Sequence, residues 1–423
     1  MSARIGSAWQ RARGPGAGLV WLVLGKAALM AGNTALLLFL ASRLPLAVYG
    51  LFVAVAGAQV ILSRAVLAGT DGGVVRLSSA AGGFGRPECV GAGVVILRRT
   101  ALTAVGCAAL AMLLPLPWPV WIAPVVAAGG IGVALVDYGY FCRLARLDYR
   151  AASVVQGGMG FLRLAAVVAV NLAWPAQTSG VFFAYALGSL TAGLLQFRAA
   201  ARTGSRPAAG TVRRLFQYSV WQGTASVVAT GALHVGTFVF LALHQKDASG
   251  VFALGLSLSL PFFFLYNAFF EFLLPRMSHV PDTRVLRRTV FSWTAVALAL
   301  AAACVPVAIA AGFVFPRVFR PELAAAVPVF YWLAASNALL LLQAVFEAAS
   351  HSLLRPAYVT ATWAVRLTAT AAAVFALARG GNAERGGMGQ FLGSVVAFLV
   401  ISLLVALELR RRSARADVAA RAA

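Results

Sequence analysis

Residues 50–70 read GLFVAVAGAQVILSRAVLAGT, and residues 250–274 read GVFALGLSLSLPFFFLYNAFFEFLL. Each opens on Gly-x-Phe and carries one charged residue, Arg64 in the first and Glu271 in the second. A helix needs ~20 apolar residues to cross a hydrocarbon core. In lipid every backbone polar group must be paired within its own segment, so both stretches are expected to be spanning helices. They stand 200 positions apart, and the correspondence extends outward from them. Trp21 matches Trp221, and Arg76-Leu77-Ser78 matches Arg276-Met277-Ser278, at the same offset. Leu97-Arg98-Arg99-Thr100 matches Leu286-Arg287-Arg288-Thr289, and Arg163-Leu164 matches Arg366-Leu367 at an offset of 203. Several ordered matches at a nearly constant offset mark an internal repeat.

Ten more apolar segments flank these two. The twelve expected spans are 19–42, 50–70, 97–115, 119–142, 152–173, 179–198, 215–243, 250–274, 288–315, 323–348, 355–378 and 389–409. Breaks are expected at Arg43-Leu44-Pro45, Pro115 to Pro119, Trp174-Pro175, Pro316 and Gly386-Gly387, where Pro, Gly or charge interrupts the pattern. Six spans is an even number, so the halves share one topology and form a parallel repeat. The expected architecture is therefore an all-α polytopic membrane protein of two parallel six-helix lobes. Residues 1–197 form the first lobe, 198–214 a basic linker, and 215–423 the second lobe with a basic tail. Two such lobes suit alternating access, with substrate held between them.

Composition agrees. Of the 423 residues 61% are hydrophobic and 11% charged, where a soluble domain carries about a quarter charged. That excludes a soluble enzyme, a disordered chain and a disulfide scaffold. The net charge is +23, but no soluble basic domain is left to take nucleic acid. With the N-terminus cytoplasmic, 25 of the 35 basic residues fall on the inner side, 6 on the outer side, and 4 within spans. The bias follows the positive-inside rule and puts both termini inside. The Arg-rich tail is expected to meet anionic headgroups of the bilayer. Cys89, Cys107, Cys142 and Cys304 show no CxxC pair and no metal spacing, so no metal or cofactor is expected. The outer loops offer only Asp247, Glu322 and Glu384, singly, so no enzyme is expected.

The four basic residues within spans are Lys26, Arg64, Arg163 and Arg366. Ionisable groups at membrane depth are costly and are functional candidates. Arg163 and Arg366 lie mid-span, and a guanidinium matches phosphate bidentately. They are read as anion ligands of the lumen, against the alternative that each ties its own lobe together. Arg64 and Lys26 join them as substrate-binding candidates, with snorkelling to headgroups as the other reading. Asp137, Glu271 and Glu347 lie near cytoplasmic span ends, where they could pair with Arg143, Arg276 or Arg355 to latch an inner gate. His234, deep in the seventh span, could carry a proton or be a hydrogen-bonded core residue. The aromatic run from Phe262 to Phe270 is read as packing or lipid-facing.

Several of these stretches also resemble a known family. Ala41-Ser42-Arg43-Leu44-Pro45 through Val48-Tyr49-Gly50-Leu51-Phe52 resembles the first outer loop and second span of Wzx-type O-antigen and capsule flippases. These are the polysaccharide transporters of the multidrug/oligosaccharidyl-lipid/polysaccharide (MOP) exporter superfamily. Ser249-Gly250-Val251-Phe252 to Leu274-Pro275-Arg276-Met277-Ser278 resembles its eighth span and the element that follows. Phe141-Cys142-Arg143-Leu144-Ala145-Arg146 is similar to its connection between the fourth and fifth spans. The resemblance implies a MATE-like fold in the bacterial inner membrane. It implies an undecaprenyl-diphosphate-linked oligosaccharide as cargo and polysaccharide polymerase or assembly proteins as partners. Three alternatives stand beside it. A drug or cation exporter of the same superfamily would want acidic residues in its lumen. A major-facilitator carrier would want a basic motif where Thr70-Asp71-Gly72-Gly73 stands. A non-transporting assembly subunit has no need to bury charge.

Overall fold

The computed structural model describes residues 15–79, 86–113, 119–146, 148–175, 178–278, 283–318, 324–353 and 355–422. The described residues are helical almost throughout. In chain order the helices are α1 (Pro15–Arg43), α2 (Leu46–Leu67), α3 (Thr70–Ser79), α4 (Arg86–Met112) and α5 (Ile122–Leu144). Then come α6 (Tyr149–Ala173), α7 (Thr178–Ala201), α8 (Ala209–Ala242), α9 (Lys246–Ser278) and α10 (Thr283–Val318). The last three are α11 (Ala326–Ser352), α12 (Pro356–Leu377) and α13 (Ala383–Ala422). Twelve of them, all but α3, contain a stretch long and apolar enough to cross a membrane. The chain is a multi-pass membrane protein.

The expected breaks hold where proline sits between helices: α1 ends at Arg43, α2 begins at Leu46, and α6 ends before Trp174-Pro175. They fail where the residue lies inside a helix. Pro316 does not end α10, which contains both Pro306 and Pro316 and runs on to Val318. Gly386-Gly387 lies within α13; the turn before it uses Gly381 at φ +72° instead. The segment after the second span is itself the short helix α3. Ala68 at φ 48° and Gly69 at φ +72° turn the chain out of α2 and into it. Pro115–Pro119 falls largely outside the described residues.

Two compact units emerge. The first joins residues 1–38 with 55–227, and the second joins 39–54 with 228–423. In the first, Val66, Leu67, Leu97, Ala134, Leu135 and Tyr138 are buried together. The Tyr138 hydroxyl donates to the Val90 carbonyl at 2.6 Å, tying α5 to α4. In the second, Phe262, Tyr266, Phe269, Phe330 and Trp363 are buried in one cluster with the apolar face of α11. The aromatic run is thus mainly packing.

The two stretches that reveal the repeat also touch. Within the second unit the start of α2 crosses the start of α9 at Gly50 and Gly250. A Cβ added to Gly50 would lie 2.7 Å from the Gly250 nitrogen, and one added to Gly250 would strike the Leu46 carbonyl. Only glycine lets the backbones come this close. Beside the crossing the buried Tyr49 hydroxyl donates to the Ser257 hydroxyl oxygen at 2.8 Å.

Candidate functional site

Each unit buries one arginine in mid-helix and ties it to the neighbouring helix through serine. In the first unit Arg163, on α6, is 3% exposed. Its Nε donates to Ser189 Oγ on α7 at 2.7 Å, and its guanidinium lies 4.8 Å from the centre of the Tyr185 ring. Ser189 in turn donates to the Tyr185 carbonyl at 2.9 Å, one turn back on its own helix. In the second unit Arg366, on α12, is fully buried at 0% exposure. Its Nη2 donates to Ser336 Oγ on α11 at 3.2 Å. Ser336 and Ser394 share a 2.6 Å hydrogen bond, and Ser394 donates to the Gln390 carbonyl on α13. The aromatic partner is Trp363, 4.9 Å away on the same helix as the arginine.

The parallel is close. Arg163 with Ser189 corresponds to Arg366 with Ser394 at offsets of 203 and 205. One difference comes from a glycine. Gly132 stands in the first unit where Ser336 stands in the second, and a Cβ there would lie 2.5 Å from the Ser189 carbonyl carbon. So the first unit has one serine at its arginine and the second has two.

Neither guanidinium is saturated. Arg163 Nη2 and both Nε and Nη1 of Arg366 are buried with no hydrogen-bond partner among the described residues. Elsewhere in the second unit, His234 Nδ1, Thr370 Oγ1 and Gln390 Oε1 are likewise unpartnered among the described residues. Gln390 Nε2 donates to the Leu233 carbonyl, which joins α13 to α8 beside His234. Buried polar atoms in native proteins are almost always satisfied by protein, water or ligand. These atoms therefore mark where oxygen-bearing molecules would sit.

Asp137 and Glu347 have other partners than the sequence suggested. Asp137 does not pair with Arg143, whose Nη1 donates to the Gly139 carbonyl. It pairs with Arg64 on α2 at 3.1 Å, and the two side chains are 11% and 28% exposed. Arg163 lies within electrostatic reach of the same carboxylate. Glu347, on α11, accepts from the Tyr266 hydroxyl at 2.7 Å and from Gln343 Nε2 at 2.8 Å. Arg366 is near enough to act on it electrostatically but makes no ion pair with it. Glu271 is exposed on α9. Arg276 donates to the Phe272 carbonyl at 3.0 Å. Arg355 instead meets Glu408 at 3.6 Å, a residue the sequence did not single out. Glu408 also binds Arg412 at 3.1 Å, and Arg412 reaches the Leu353 carbonyl at 2.6 Å, fastening α13 to the turn after α11. Lys26 is half-buried on α1.

The structure thus brings Arg64, Asp137 and Arg163 together in one unit and Arg366 near Glu347 in the other, and it does not bring His234 to either of these groups. Among the described residues no group of His, Cys, Asp or Glu could hold a metal ion.

No protein-family model and no curated protein sequence matches the chain. Solved structures do match along nearly its whole length. One is an outward-facing multidrug resistance MATE family transporter of the MOP superfamily, at TM-score 0.67 and 13% identity. The match covers 93% of this chain and 96% of that one. An inward-facing multidrug resistance MATE family transporter also scores 0.67, at 11% identity over 90% and 94% of the chains. A MOP superfamily transporter from Pyrococcus furiosus, described as having a binding pocket of reverse polarity, scores 0.58 at 13% identity over 93% and 96%. The chain has the twelve-helix fold of MATE and MOP superfamily transporters.

Proposed function

We propose that this chain is an alternating-access transporter that moves an anionic, lipid-linked glycan across a bacterial inner membrane. The cargo class is a polyprenyl-diphosphate-linked oligosaccharide, carried from the cytoplasmic to the periplasmic leaflet for surface polysaccharide assembly. The observation that carries this reading is the pair of buried arginines at equivalent helical positions, each with N–H donors unused by protein. Guanidinium donors that protein atoms leave open suit phosphate oxygens, which they bind bidentately. An inside-negative potential would help, by ~2.3 kcal/mol per charge per 100 mV for an anion moving outward.

A cation exporter fits the same residues less well. It would want a carboxylate free for cargo, whereas Asp137 is engaged by Arg64 and Glu347 by Tyr266 and Gln343. The test is reconstitution of the purified chain into liposomes with a polyprenyl-diphosphate-linked oligosaccharide, scored by access of a membrane-impermeant glycan reagent. A cationic dye is run in parallel. Protein-dependent exposure of the glycan without dye transport supports the proposal. Dye transport with no movement of the glycan overturns it.

A further inference from the structure

One face of α10 is built unlike the rest of that helix. Val285, Arg288, Thr289, Ser292, Trp293 and Val296 line a groove of about 350 Å³. Their spacing places them on one helical stripe spanning three turns. Farther along, α10 is a lipid-type surface, with Leu298, Val305, Val307, Ile309 and Phe313 all more than half exposed. The groove therefore lies where a charged helix start meets an apolar outer face.

Its chemistry is specific. Arg288 is exposed and has no hydrogen-bond or ion-pair partner among the described residues, and the same holds for the Ser292 hydroxyl. Thr289 spends its proton on the Val285 carbonyl at 2.9 Å, which leaves its oxygen free to accept. Trp293 is fixed edge-on against Phe269 and Phe272 of α9, with ring centres 6.2 and 5.6 Å away, so the apolar wall of the groove is rigid. Two donors, one acceptor and an apolar wall meet along one stripe.

We infer that this groove holds an anionic phospholipid resident in the leaflet at the arginine-rich side of the protein. The phosphate sits on the Arg288 guanidinium and the Ser292 hydroxyl. A headgroup hydroxyl, as in phosphatidylglycerol, donates to Thr289 Oγ1. The first part of an acyl chain lies along Trp293 and Val296. A free phosphate would not use the apolar half of the groove, and a zwitterionic lipid would set its own cation against Arg288. A tryptophan beside a basic residue is also the usual pairing at a membrane interface. The inference is independent of the cargo.

The experiment uses the full chain in phosphatidylethanolamine vesicles containing a photoactivatable phosphatidylglycerol, with cross-links mapped by peptide. Mapping separates α10 from the basic tail. Labelling of the peptide carrying residues 285–296 is expected, and a photoactivatable phosphatidylcholine should label it far less. Arg288→Ala with Ser292→Ala should lower labelling at least about fivefold, the size expected for one basic residue at an anionic surface. Arg288→Gln alone should give a loss of the same order, and it stands in if the double variant does not fold. Equal labelling by phosphatidylcholine, or unchanged labelling in Arg288→Gln, overturns the inference. So does labelling by a polyprenyl diphosphate probe in place of phosphatidylglycerol.

Discussion

Arg163 and Arg366 occupy corresponding turns of α6 and α12, yet the carboxylates near them are treated in opposite ways. In the first unit Asp137 is ion-paired to a separate, partly exposed arginine, Arg64. In the second unit Glu347 is 1% exposed and held by neutral donors, Tyr266 and Gln343 among them, and Arg366 is its nearby cation without touching it. The repeat kept the arginine and the serine of the last helix of each half, but Arg366 bonds Ser336 where the first unit has Gly132, and the charge balance diverged. In the first unit Asp137 is acted on by two guanidinium groups, Arg64 and Arg163, and by a second carboxylate, Asp71. The second unit has one of each, separated and fully buried. Arg366 is the cation that acts on the buried Glu347, whereas the buried Asp137 is acted on by both Arg64 and Arg163.

The largest effect should come from removing Arg366. Arg366→Met removes the charged hydrogen bond to Ser336 and the cation that acts on the buried Glu347 without pairing with it, a loss of about 2–3 kcal/mol. Arg163→Met should cost about half as much, because Asp137 keeps Arg64 and only a charged hydrogen bond is lost. Thermal unfolding in detergent reads both. If Glu347→Gln restores much of the stability lost in Arg366→Met, the coupling is confirmed; two equal single losses and no rescue would erase the contrast.

The next test concerns where the halves are alike. At the crossing a Cβ on Gly50 would press on Gly250 and one on Gly250 on Leu46, the tighter of the two, so Gly250→Val should destabilise more than Gly50→Val, each by at least about 2 kcal/mol for overpacking. A larger loss in Gly50→Val would contradict this geometry. A smaller effect is expected for Tyr266→Phe, which removes one of the neutral donors to Glu347 at about 1–2 kcal/mol. Its melting temperature should fall, and in an Arg366→Met background the fall should be larger. The smallest is Arg64→Gln, about 1 kcal/mol, because Arg64 is partly exposed and the buried Asp137 keeps Arg163 within electrostatic reach. A loss as large as that of Arg366→Met would contradict the contrast between the units.

Much of the fold was readable because membrane helices declare themselves by length and apolarity. The residues that reveal the repeat, Gly50 and Gly250, even proved to be a contact. Breaks were harder to read. Pro316 lies in the last turn of α10, and Gly386-Gly387 sits inside α13, where membrane helices absorb both residue types. Of the site, Arg163 and Arg366 were legible as lone charges in apolar runs. Their serines were not, because serine at membrane depth is common and its partner is set by how helices rotate against one another. Pairing failed for the same reason. Asp137 and Arg64 are 73 positions apart, and no local pattern links them. Glu408 escaped notice because it looks like the polar end of a helix until Arg355 and Arg412 are seen around it.

The central claim is that the two buried arginines act on an anionic cargo. The most direct measurement is the reconstituted flipping rate of the diphosphate-linked oligosaccharide for Arg163→Gln, Arg366→Gln and the double variant. Each must first be shown to be folded in the liposome. The account predicts at least a tenfold loss for each single variant and no detectable flipping for the double. A folded double variant that flips at the wild-type rate would contradict it.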